Sequence, residues 1–465
     1  MKTKIFSMLI VSAMFVFGTP MISNAQLGKL KDMKKKVEKN IPSKEEEKPS
    51  QNANSNQQTN SQAATQPEVK PEGKTIYVSP TGSNKNAGTS KDAPLKNIDK
   101  AISMAEDYDK IYIAEGVYSG TFNVGFFEIK KPMEIYGSYN ADFSKRNPVE
   151  TPTIIRTKPK AASGKQMLIY IYETHDVVID GIMVDMGEQN NYNDKVPEGI
   201  ETGYLTLTNT GGTEQRAAIR IVGNNVTVRN CTFANISYCG VSVAQRMSMP
   251  GRIHIDNNVF VNCAHTGIDA SVLTGPGDRH EIEISNNTFA FTYGTTFLND
   301  NLGNAIWMKQ KADYNVHHNI FSYASDAAIR YLDTKDPSLK LDYNLFMNNR
   351  KNDIHTSIAN NRVFISVEEF EDVDFVSSLE GNKRMTQVLP LNKAYTAEFI
   401  NMAAEVSMEY DPNTDWNQVR SILGLPQQAS GKATISFFAN RYPWKESLNL
   451  FGAVSEFGAQ MPKVN

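Results

Sequence analysis

From about residue 226, short strands of alternating apolar and polar residues recur at intervals of about 25 to 32 residues. Each copy opens with two apolar residues around a polar one, as in Ile253-His-Ile255, and passes through an Asn-containing turn. The copies then reach a phenylalanine, at Phe233, Phe260, Phe289, Phe321 and Phe346. Alternation with a period of two predicts strands, and a repeat of this length predicts a solenoid.

A further short strand follows each phenylalanine, typified by Gly240-Val-Ser-Val and Gly267-Ile-Asp-Ala. Each coil therefore contains an Ile-x-Ile strand, a Phe strand and a Gly-Ile strand. Three short strands per coil, stacked at about 4.8 Å, predict an all-β, three-sided parallel β-helix. No long stretch shows the 3.6-residue spacing that an α-solenoid needs.

Outside the repeat, the pattern changes twice. Residues 1–25 combine basic residues, an apolar run and small residues at the end, which predicts a signal peptide cut after Ala25. Residues 26–74 open with a basic amphipathic stretch and continue as a polar segment, which we interpret as a disordered linker. The β-helix domain is predicted over residues 75–460. Spacing of Leu95, Ile98, Ile102 and Ala105 predicts a helix over about 95–107 that caps the first coil.

Composition adds little about chemistry but helps with the fold. Formal net charge is −3, which gives no indication of a nucleic-acid partner. The chain contains 44 Asn, five of them in the linker. Others occupy one turn position in successive coils, at Asn258, Asn287, Asn319 and Asn344. We interpret these as structural, because Asn tolerates a left-handed or bridging turn and its amides can bond from coil to coil.

The opening of the predicted domain, Thr75-Ile-Tyr-Val-Ser-Pro-Thr-Gly-Ser83 with Lys110-Ile-Tyr-Ile-Ala-Glu-Gly-Val-Tyr118, resembles an N-terminal module of bacterial β-helix proteins. The ending Leu450-Phe-Gly-Ala-Val-Ser-Glu-Phe457 is similar to their closing segment. Together with the repeat, these motifs resemble the secreted right-handed parallel β-helix proteins of the pectate-lyase-like superfamily. The resemblance implies a secreted protein whose Gly-Ile face carries a sugar-binding cleft.

Side chains of a strand alternate between the two faces of its sheet, so one residue of each Gly-Ile strand points outward. These outward positions form a predicted column: Arg220, Ser242, Asp269, Trp307, Arg330 and His355. Lys309 occupies the next outward position. Insertions at about 187–216 and 291–303, with variable turns at 245–252 and 272–280, are predicted to wall a groove along this column.

A polyuronate lyase neutralises a carboxylate, removes the neighbouring proton and expels the 4-linked oxygen. Lys309 is the predicted base, with Arg330 or Arg220 as the carboxylate partner. Asp269 and His265 are predicted to orient substrate or to share proton transfer. Trp307 is predicted to lie under a sugar ring, and His355 to contact substrate. The sequence thus favours a protein that acts on or binds an acidic polysaccharide.

Two other function classes stay open: a non-catalytic carbohydrate-binding or structural surface protein, and a glycoside hydrolase. Asp269 is the single acid of the column, whereas hydrolysis calls for two carboxylates. We expect no cofactor and no metal site, since no clustered Asp ligands indicate Ca²⁺, which a lyase of this kind could nevertheless use. His317 and His318 are of a residue type that binds metals, but His317 occupies an outward strand position and His318 lies in a turn.

Three further expectations concern the assembly and the thiols. We expect a monomer without a transmembrane segment. Cys231, Cys239 and Cys263 fall at different positions of their coils, so no two stack directly, and we expect buried free thiols, with a disulfide as the alternative.

Overall fold

The computed structural model describes residues 71–119, 127–156, 167–186, 217–236, 238–243, 251–271, 279–294, 303–309, 312–332, 338–358, 361–372, 376–386, 389–402, 420–422, 424–426 and 441–463. The chain divides into two units, one of Met1–Ser61 with Ile358–Val363 and one of Gln62–Ser357 with Phe364–Asn465. Apart from the strand residues Ile358 and Asn361–Val363, the strands and sites below belong to the second unit. The predicted signal peptide, nearly all of the predicted linker and most of the predicted groove walls lie outside the described residues.

Three strand faces repeat from coil to coil. The Ile-x-Ile face is built from β1 Thr75–Val78, β2 Asp109–Ala114, β5 Met133–Tyr139, the second halves of β7 Met167–Asp180 and β9 Ala217–Arg229, β12 Arg252–Asp256, β15 His280–Ser285, β18 Ala312–His317, β21 Leu339–Asp342 and β25 Val376–Ser378. The Phe face is built from β3 Gly116–Ser119, β6 Thr153–Arg156, β8 Ile182–Asp185, β10 Thr232–Ile236, β13 Val259–Ala264, β16 Thr288–Tyr293, β19 Ile320–Ala324, β22 Leu345–Met347 and β26 Lys383–Arg384. The Gly-Ile face is built from β4 Phe127–Ile129, the first halves of β7 and β9, β11 Cys239–Val243, β14 Thr266–Ala270, β17 Asn304–Met308, β20 Ala327–Tyr331 and β23 Asn352–Ile358.

The remaining described elements are short. They are strand β24 Asn361–Ile365, helices α1 Ile98–Met104, α2 Lys393–Met402 and α3 Trp444–Ser447, and the 3-10 helices Val367–Asp372 and Leu448–Leu450. Every strand pair of the three faces is parallel, as the repeat requires. The predicted three-sided parallel β-helix is confirmed.

A stack of phenylalanines fills the centre of the coils. The five repeat phenylalanines pair in register, and neighbouring ring centroids lie 4.7–5.3 Å apart. Burial of each such side chain contributes roughly 2–3 kcal/mol. The stack also explains the glycines of the Gly-Ile strand: a Cβ on Gly240 would lie 2.5 Å from the ring of Phe260, and one on Gly267 would lie 2.7 Å from Phe289.

Asparagine amides join the coils at the turn after the Ile-x-Ile strand. Nδ2 of Asn258 donates to Oδ1 of Asn287 at 3.0 Å, and the same bond continues through Asn319 and Asn344 to Asn382. Each of these amides, including that of Asn382, also donates to a backbone carbonyl oxygen of the preceding coil, and those of Asn319 and Asn344 donate to one within their own turn as well. The predicted Asn ladder is therefore confirmed, and Asn382 extends it.

The left-handed backbone of this turn lies at a different residue from the ladder asparagine. The left-handed φ belongs to the residue before each ladder asparagine: Asn257 at 56°, Asn286 at 53°, His318 at 55° and Tyr343 at 52°. A second left-handed position recurs two residues after the repeat phenylalanines, at Asn235, Asn262, Phe291, Tyr323 and Asn348. Of the two backbone conformations expected for the ladder asparagines, the left-handed one belongs to the preceding residue, and the bridging one stays a prediction.

Helix α1 is shorter than the predicted 95–107. Leu95 forms a parallel bridge to Val78 and lies outside the helix, while Ile98 and Ala101 are buried. The helix ends at Ala105, whose backbone is extended. It contacts β1 and β2, the first two strands of the Ile-x-Ile face.

The C-terminal segment 441–463 runs along the outside of the coils. Tyr442 exchanges two backbone hydrogen bonds with the amide of Asn235, at 2.7 and 3.0 Å. Further along, Gly458 N–H donates to the carbonyl of His318 and Ala459 N–H to the hydroxyl of Thr288. The segment thus forms hydrogen bonds with groups in or beside the turns that contain left-handed residues.

All three cysteines are buried free thiols, as predicted. Burial raises the pKa of Cys231 to about 12 and raises those of Cys239 and Cys263 as well.

Candidate functional site on the Gly-Ile face

The predicted outward column exists in register. Successive strand pairs align Arg220, Ser242, Asp269, Trp307, Arg330 and His355, with Tyr170 as an additional member before Arg220. The isoleucines on either side of this position point inward and are buried. Ser242, Asp269, Arg330 and His355 are 7% exposed or less. The column is therefore a largely desolvated set of polar groups, unlike a solvated charged surface.

Asp269 is a buried carboxylate with one satisfied oxygen. Its Oδ1 accepts hydrogen bonds from the hydroxyl of Ser271 at 2.6 Å and from the N–H of Ser271 at 3.1 Å. Among the described residues, no group hydrogen-bonds Oδ2. Burial raises the pKa of Asp269, against the lowering effects of Ser271, Lys309 and Arg220.

Two cations contact the indole ring of Trp307. Lys309 Nζ lies 4.7 Å from the ring centroid, and the guanidinium carbon of Arg330 lies 4.8 Å from it. No described residue accepts a hydrogen bond from the buried Nε1 of Trp307. A sugar would have to replace one of these cations to stack on the ring, so the predicted platform role stays a prediction.

Lys309 and Arg330 differ in their surroundings. In the part of the chain that the structure describes, no carboxylate lies within salt-bridge distance of Lys309 Nζ. The hydroxyl of Tyr314 lies 2.6 Å from the carbonyl oxygens of both Lys309 and Ala270, which fixes the backbone of Lys309 relative to the preceding coil. Burial lowers the pKa of Arg330 to about 10 despite the nearby charge of Asp326.

Sequence reasoning missed a buried charge cluster beside the column. The carboxylate of Asp326 lies 2.8 Å from Lys351 Nζ through Oδ1 and 2.8 Å from His355 Nδ1 through Oδ2. Asn304 Nδ2 also donates to Oδ2 at 2.9 Å. Ring stacking with Phe364, at a centroid distance of 4.4 Å, fixes the imidazole of His355. The sequence does contain a signal for this cluster. An acid stands directly before one Gly-Ile strand, and a lysine stands at the matching position one coil later.

His265 lies in a different row from the column. Backbone hydrogen bonds connect His265 to Gly303, Gly303 to Asp326 and Asp326 to Lys351, so these residues occupy one turn position in successive coils. His265 is therefore four residues before Asp269, up to about 13 Å along the strand. Burial lowers its pKa, and its ring lies 4.6 Å from that of Tyr238. The structure thus does not bring His265 next to Asp269.

The two histidines beside the Asn ladder lie on the Ile-x-Ile face. His317 Nε2 lies 3.1 Å from Glu283 Oε1, and its Nδ1 lies 3.0 Å from Nδ1 of His318. Among the described residues, no three His, Cys, Asp or Glu side chains are grouped as ligands of one metal ion. None of the described helices is long and apolar enough to span a bilayer.

Comparisons with known proteins concern the fold. Residues 217–368 match the family model described as "Right handed beta helix region". Solved structures with similar coordinates include XylC with xylose, at 13% identity and a TM-score of 0.35 over 61% of this chain and 64% of that one. Pectate lyase Pel9A matches at 12% identity and a TM-score of 0.32 over 63% and 78% of the two chains. Polygalacturonase from Erwinia carotovora matches at 10% identity and a TM-score of 0.30 over 70% and 99%.

The search of curated proteins found no match to this sequence. The family match covers the five phenylalanine coils and the column from Arg220 to His355. It supplies the handedness that strand pairing leaves open, so the repeat of this chain is a right-handed parallel β-helix region.

Proposed function

We propose that this protein binds an acidic polysaccharide across the Gly-Ile face and cleaves it by β-elimination. The observation that carries the proposal is the grouping of Lys309 and Arg330 around Trp307, one coil away from Asp269. Two cations held against one aromatic ring form a site for a carboxylate-bearing sugar.

The elimination uses these groups as follows. Arg330 binds the substrate carboxylate and stabilises the negative charge that develops on it. Lys309 Nζ takes the proton from the carbon beside that carboxylate. The released electron pair forms a carbon–carbon double bond, and the bond to the 4-linked oxygen breaks. The proton now held by Lys309 is available to the leaving oxygen, which balances the reaction.

Two neighbours orient the sugar. Oδ2 of Asp269 accepts a hydrogen bond from a sugar hydroxyl, and Nε1 of Trp307 donates one to a sugar oxygen. The Asp326 cluster acts through His355, whose ring it holds in one orientation. Arg220, three coils before Trp307, binds a second carboxylate further along the polymer.

Hydrolysis is the second candidate, and one observation favours it. Burial raises the pKa of Asp269, whereas Lys351 and His355 outweigh burial and lower the pKa of Asp326. Such a divergence is typical of acid and base partners. The register separates the two residues by two coils and four positions, on the order of 15 Å between Cα atoms, which exceeds the roughly 6.5–9.5 Å of inverting glycosidases. Elimination therefore fits better.

The test incubates the chain from residue 26 onward with polyuronates and glycosaminoglycans, with and without Ca²⁺. We expect ultraviolet absorbance from unsaturated ends with at least one acidic polymer. Lys309→Met and Arg330→Gln should each lower the rate at least about a hundredfold. Lys340→Met and Arg252→Gln, which change exposed cations of the Ile-x-Ile face, are the matched controls.

Three outcomes would contradict elimination. New reducing ends without the absorbance would indicate hydrolysis. Binding without either product would indicate a non-catalytic carbohydrate-binding protein. Full activity of both Lys309→Met and Arg330→Gln would move the site away from the Gly-Ile face.

A further inference from the structure

The outer side of the Ile-x-Ile face carries a column of tyrosines. Tyr77 pairs with Tyr112, and Tyr112 pairs with Tyr136, so the three residues share one outward position on successive coils. The same column continues with Asp180 and Arg229. Outward strand positions usually carry polar side chains, and a row of half-buried aromatic rings there leaves apolar ring surface open to solvent.

The rings are held in fixed orientations by one another. Tyr112 stacks on Tyr139 with centroids 4.6 Å apart and an angle of 21°. The edges of Tyr77 and Tyr136 meet Tyr112 at 5.9 and 5.8 Å. Phe143 supports Tyr77 at 5.1 Å. Aromatic surface that is ordered before binding loses little conformational entropy when a ligand stacks on it.

Cationic groups continue from the tyrosines. Asp180 is buried between two arginines: Arg146 pairs with Oδ1, and Arg229 Nε lies 2.6 Å from Oδ2. The side chain of Arg229 is 43% exposed. Within the described residues, its terminal nitrogens have no hydrogen-bond partner. One buried carboxylate is thus shared by two guanidinium groups, which leaves positive charge at the surface.

Tyr112, Tyr136 and Tyr139 line one cleft of about 590 Å³ together with Asp180 and its two arginines, and the far wall of the cleft is the C-terminal segment. Gln460 N–H donates to Asn257 Oδ1 at 2.7 Å, and Asn257 Nδ2 donates to the carbonyl of Gln460 at 3.1 Å, so this wall is attached to the coil. Lys110, Arg146, Arg229 and Lys463 line the cleft against Asp180 and Asp256, a formal excess of two positive charges.

We propose that this tyrosine cleft is a second glycan-binding site, which takes an acidic oligosaccharide. Sugar rings stack their C–H faces on the tyrosines, and carboxylate or sulfate groups bind Arg229 and Lys463. The site lies on the Ile-x-Ile face and shares no residue with the Gly-Ile column. Binding at the tyrosine cleft does not depend on whether the Gly-Ile column cleaves its substrate. The cleft would bind the polymer in either case.

The experiment measures binding of hexagalacturonate and of neutral maltohexaose by titration calorimetry. The chain from residue 26 onward is used with Arg330→Gln, so that the Gly-Ile face neither cleaves nor dominates. We expect Tyr112→Ala to weaken hexagalacturonate binding at least about fivefold, and Lys463→Gln about twofold or more. Tyr112→Phe keeps the ring and should bind normally. Tyr343→Ala removes an exposed tyrosine outside the cleft and is the matched control.

Each outcome decides the proposal. Weaker binding by Tyr112→Ala and Lys463→Gln, with normal binding by Tyr343→Ala, supports it. Equal binding of maltohexaose would overturn the acidic specificity. Absence of hexagalacturonate binding, or unchanged binding by both cleft variants, would overturn the site. If Tyr112→Ala does not fold, Lys463→Gln decides, because Lys463 is exposed near the chain end.

Discussion

Asp326 and His355 face each other across neighbouring coils, with Oδ2 of the carboxylate 2.8 Å from Nδ1 of the imidazole. Lys351 lies equally close to the other oxygen, and all three side chains are 3% exposed or less. A buried carboxylate between two basic partners connects adjacent coils at the edge of the candidate site. Such a cluster stabilises the fold only while every member is present.

We predict that Asp326→Asn lowers the free energy of unfolding by about 3–5 kcal/mol, because it leaves the ammonium of Lys351 buried without its counter-charge. Urea unfolding followed by circular dichroism measures the change. The double variant Asp326→Asn with Lys351→Met should recover part of the loss, since it removes the stranded charge. Equal losses in the single and double variants would show that the ion pair is not the cause.

The same carboxylate predicts a dependence of stability on pH. Burial alone would raise the pKa of Asp326, but Lys351 and His355 lower it below the ordinary value. An acid whose pKa is depressed by folding contributes its full stabilisation above its unfolded pKa of about 3.9 and loses it as the pH falls through the folded value. The unfolding free energies of wild type and Asp326→Asn should therefore differ by a constant amount above about pH 5 and converge in acid. A difference that grows toward acid would contradict the assignment.

The Asn ladder gives a prediction about the scaffold. Asn287→Ala removes the acceptor of Asn258 and the donor to the Ile255 carbonyl, both of which are buried. We expect a loss of about 2–4 kcal/mol in unfolding free energy, since four hydrogen bonds between buried groups are lost. Asn315→Ala changes an outward asparagine of a neighbouring coil and should cost less than about 0.5 kcal/mol. Similar losses of unfolding free energy in both variants would show that a ladder asparagine stabilises the fold no more than an outward one.

The column was predictable because two rules sufficed: side chains of a strand alternate with a period of two, and the Gly-Ile strand starts seven residues after the phenylalanine in four of the five coils. Both rules depend on local sequence. The Asp326 cluster was missed because it depends on which turn positions of successive coils meet, and turn lengths vary along the chain. The sequence alone could not say which residue of the turn is left-handed, because Asn257 and Asn258 both tolerate that backbone. His318 and Tyr343 occupy it in later coils at a higher conformational cost.

The thiols provide a test of burial. Burial raises the pKa of each of the three cysteines, so the reactive thiolate is scarce and the sulfur is inaccessible in the folded chain. We expect no maleimide labelling of the native protein within an hour at neutral pH, and three labels per chain in denaturant, both counted by mass spectrometry. Fewer than three labels in denaturant under non-reducing conditions would instead reveal a disulfide.

Asp269 should stabilise the protein less than an amide would. Burial raises its pKa, so the unfolded chain ionises first as the pH rises, and the folded state loses stability between the unfolded and folded values. That loss is complete once the pH exceeds the folded pKa. Asp269→Asn removes the charge, and the amide oxygen can still accept from Ser271. We therefore expect Asn to raise the unfolding free energy by about 1 kcal/mol.

Activity should respond in the opposite direction. If Oδ2 of Asp269 orients a sugar hydroxyl, Asp269→Asn lowers kcat/KM for the acidic polymer at least about tenfold. Ser242→Ala, a change one coil away in the same column, serves as the matched control. A gain in stability together with a loss of activity is the signature of a charge retained for function. A variant that loses stability, or that gains stability while keeping full activity, would show that the buried carboxylate has no part in the chemistry of this face.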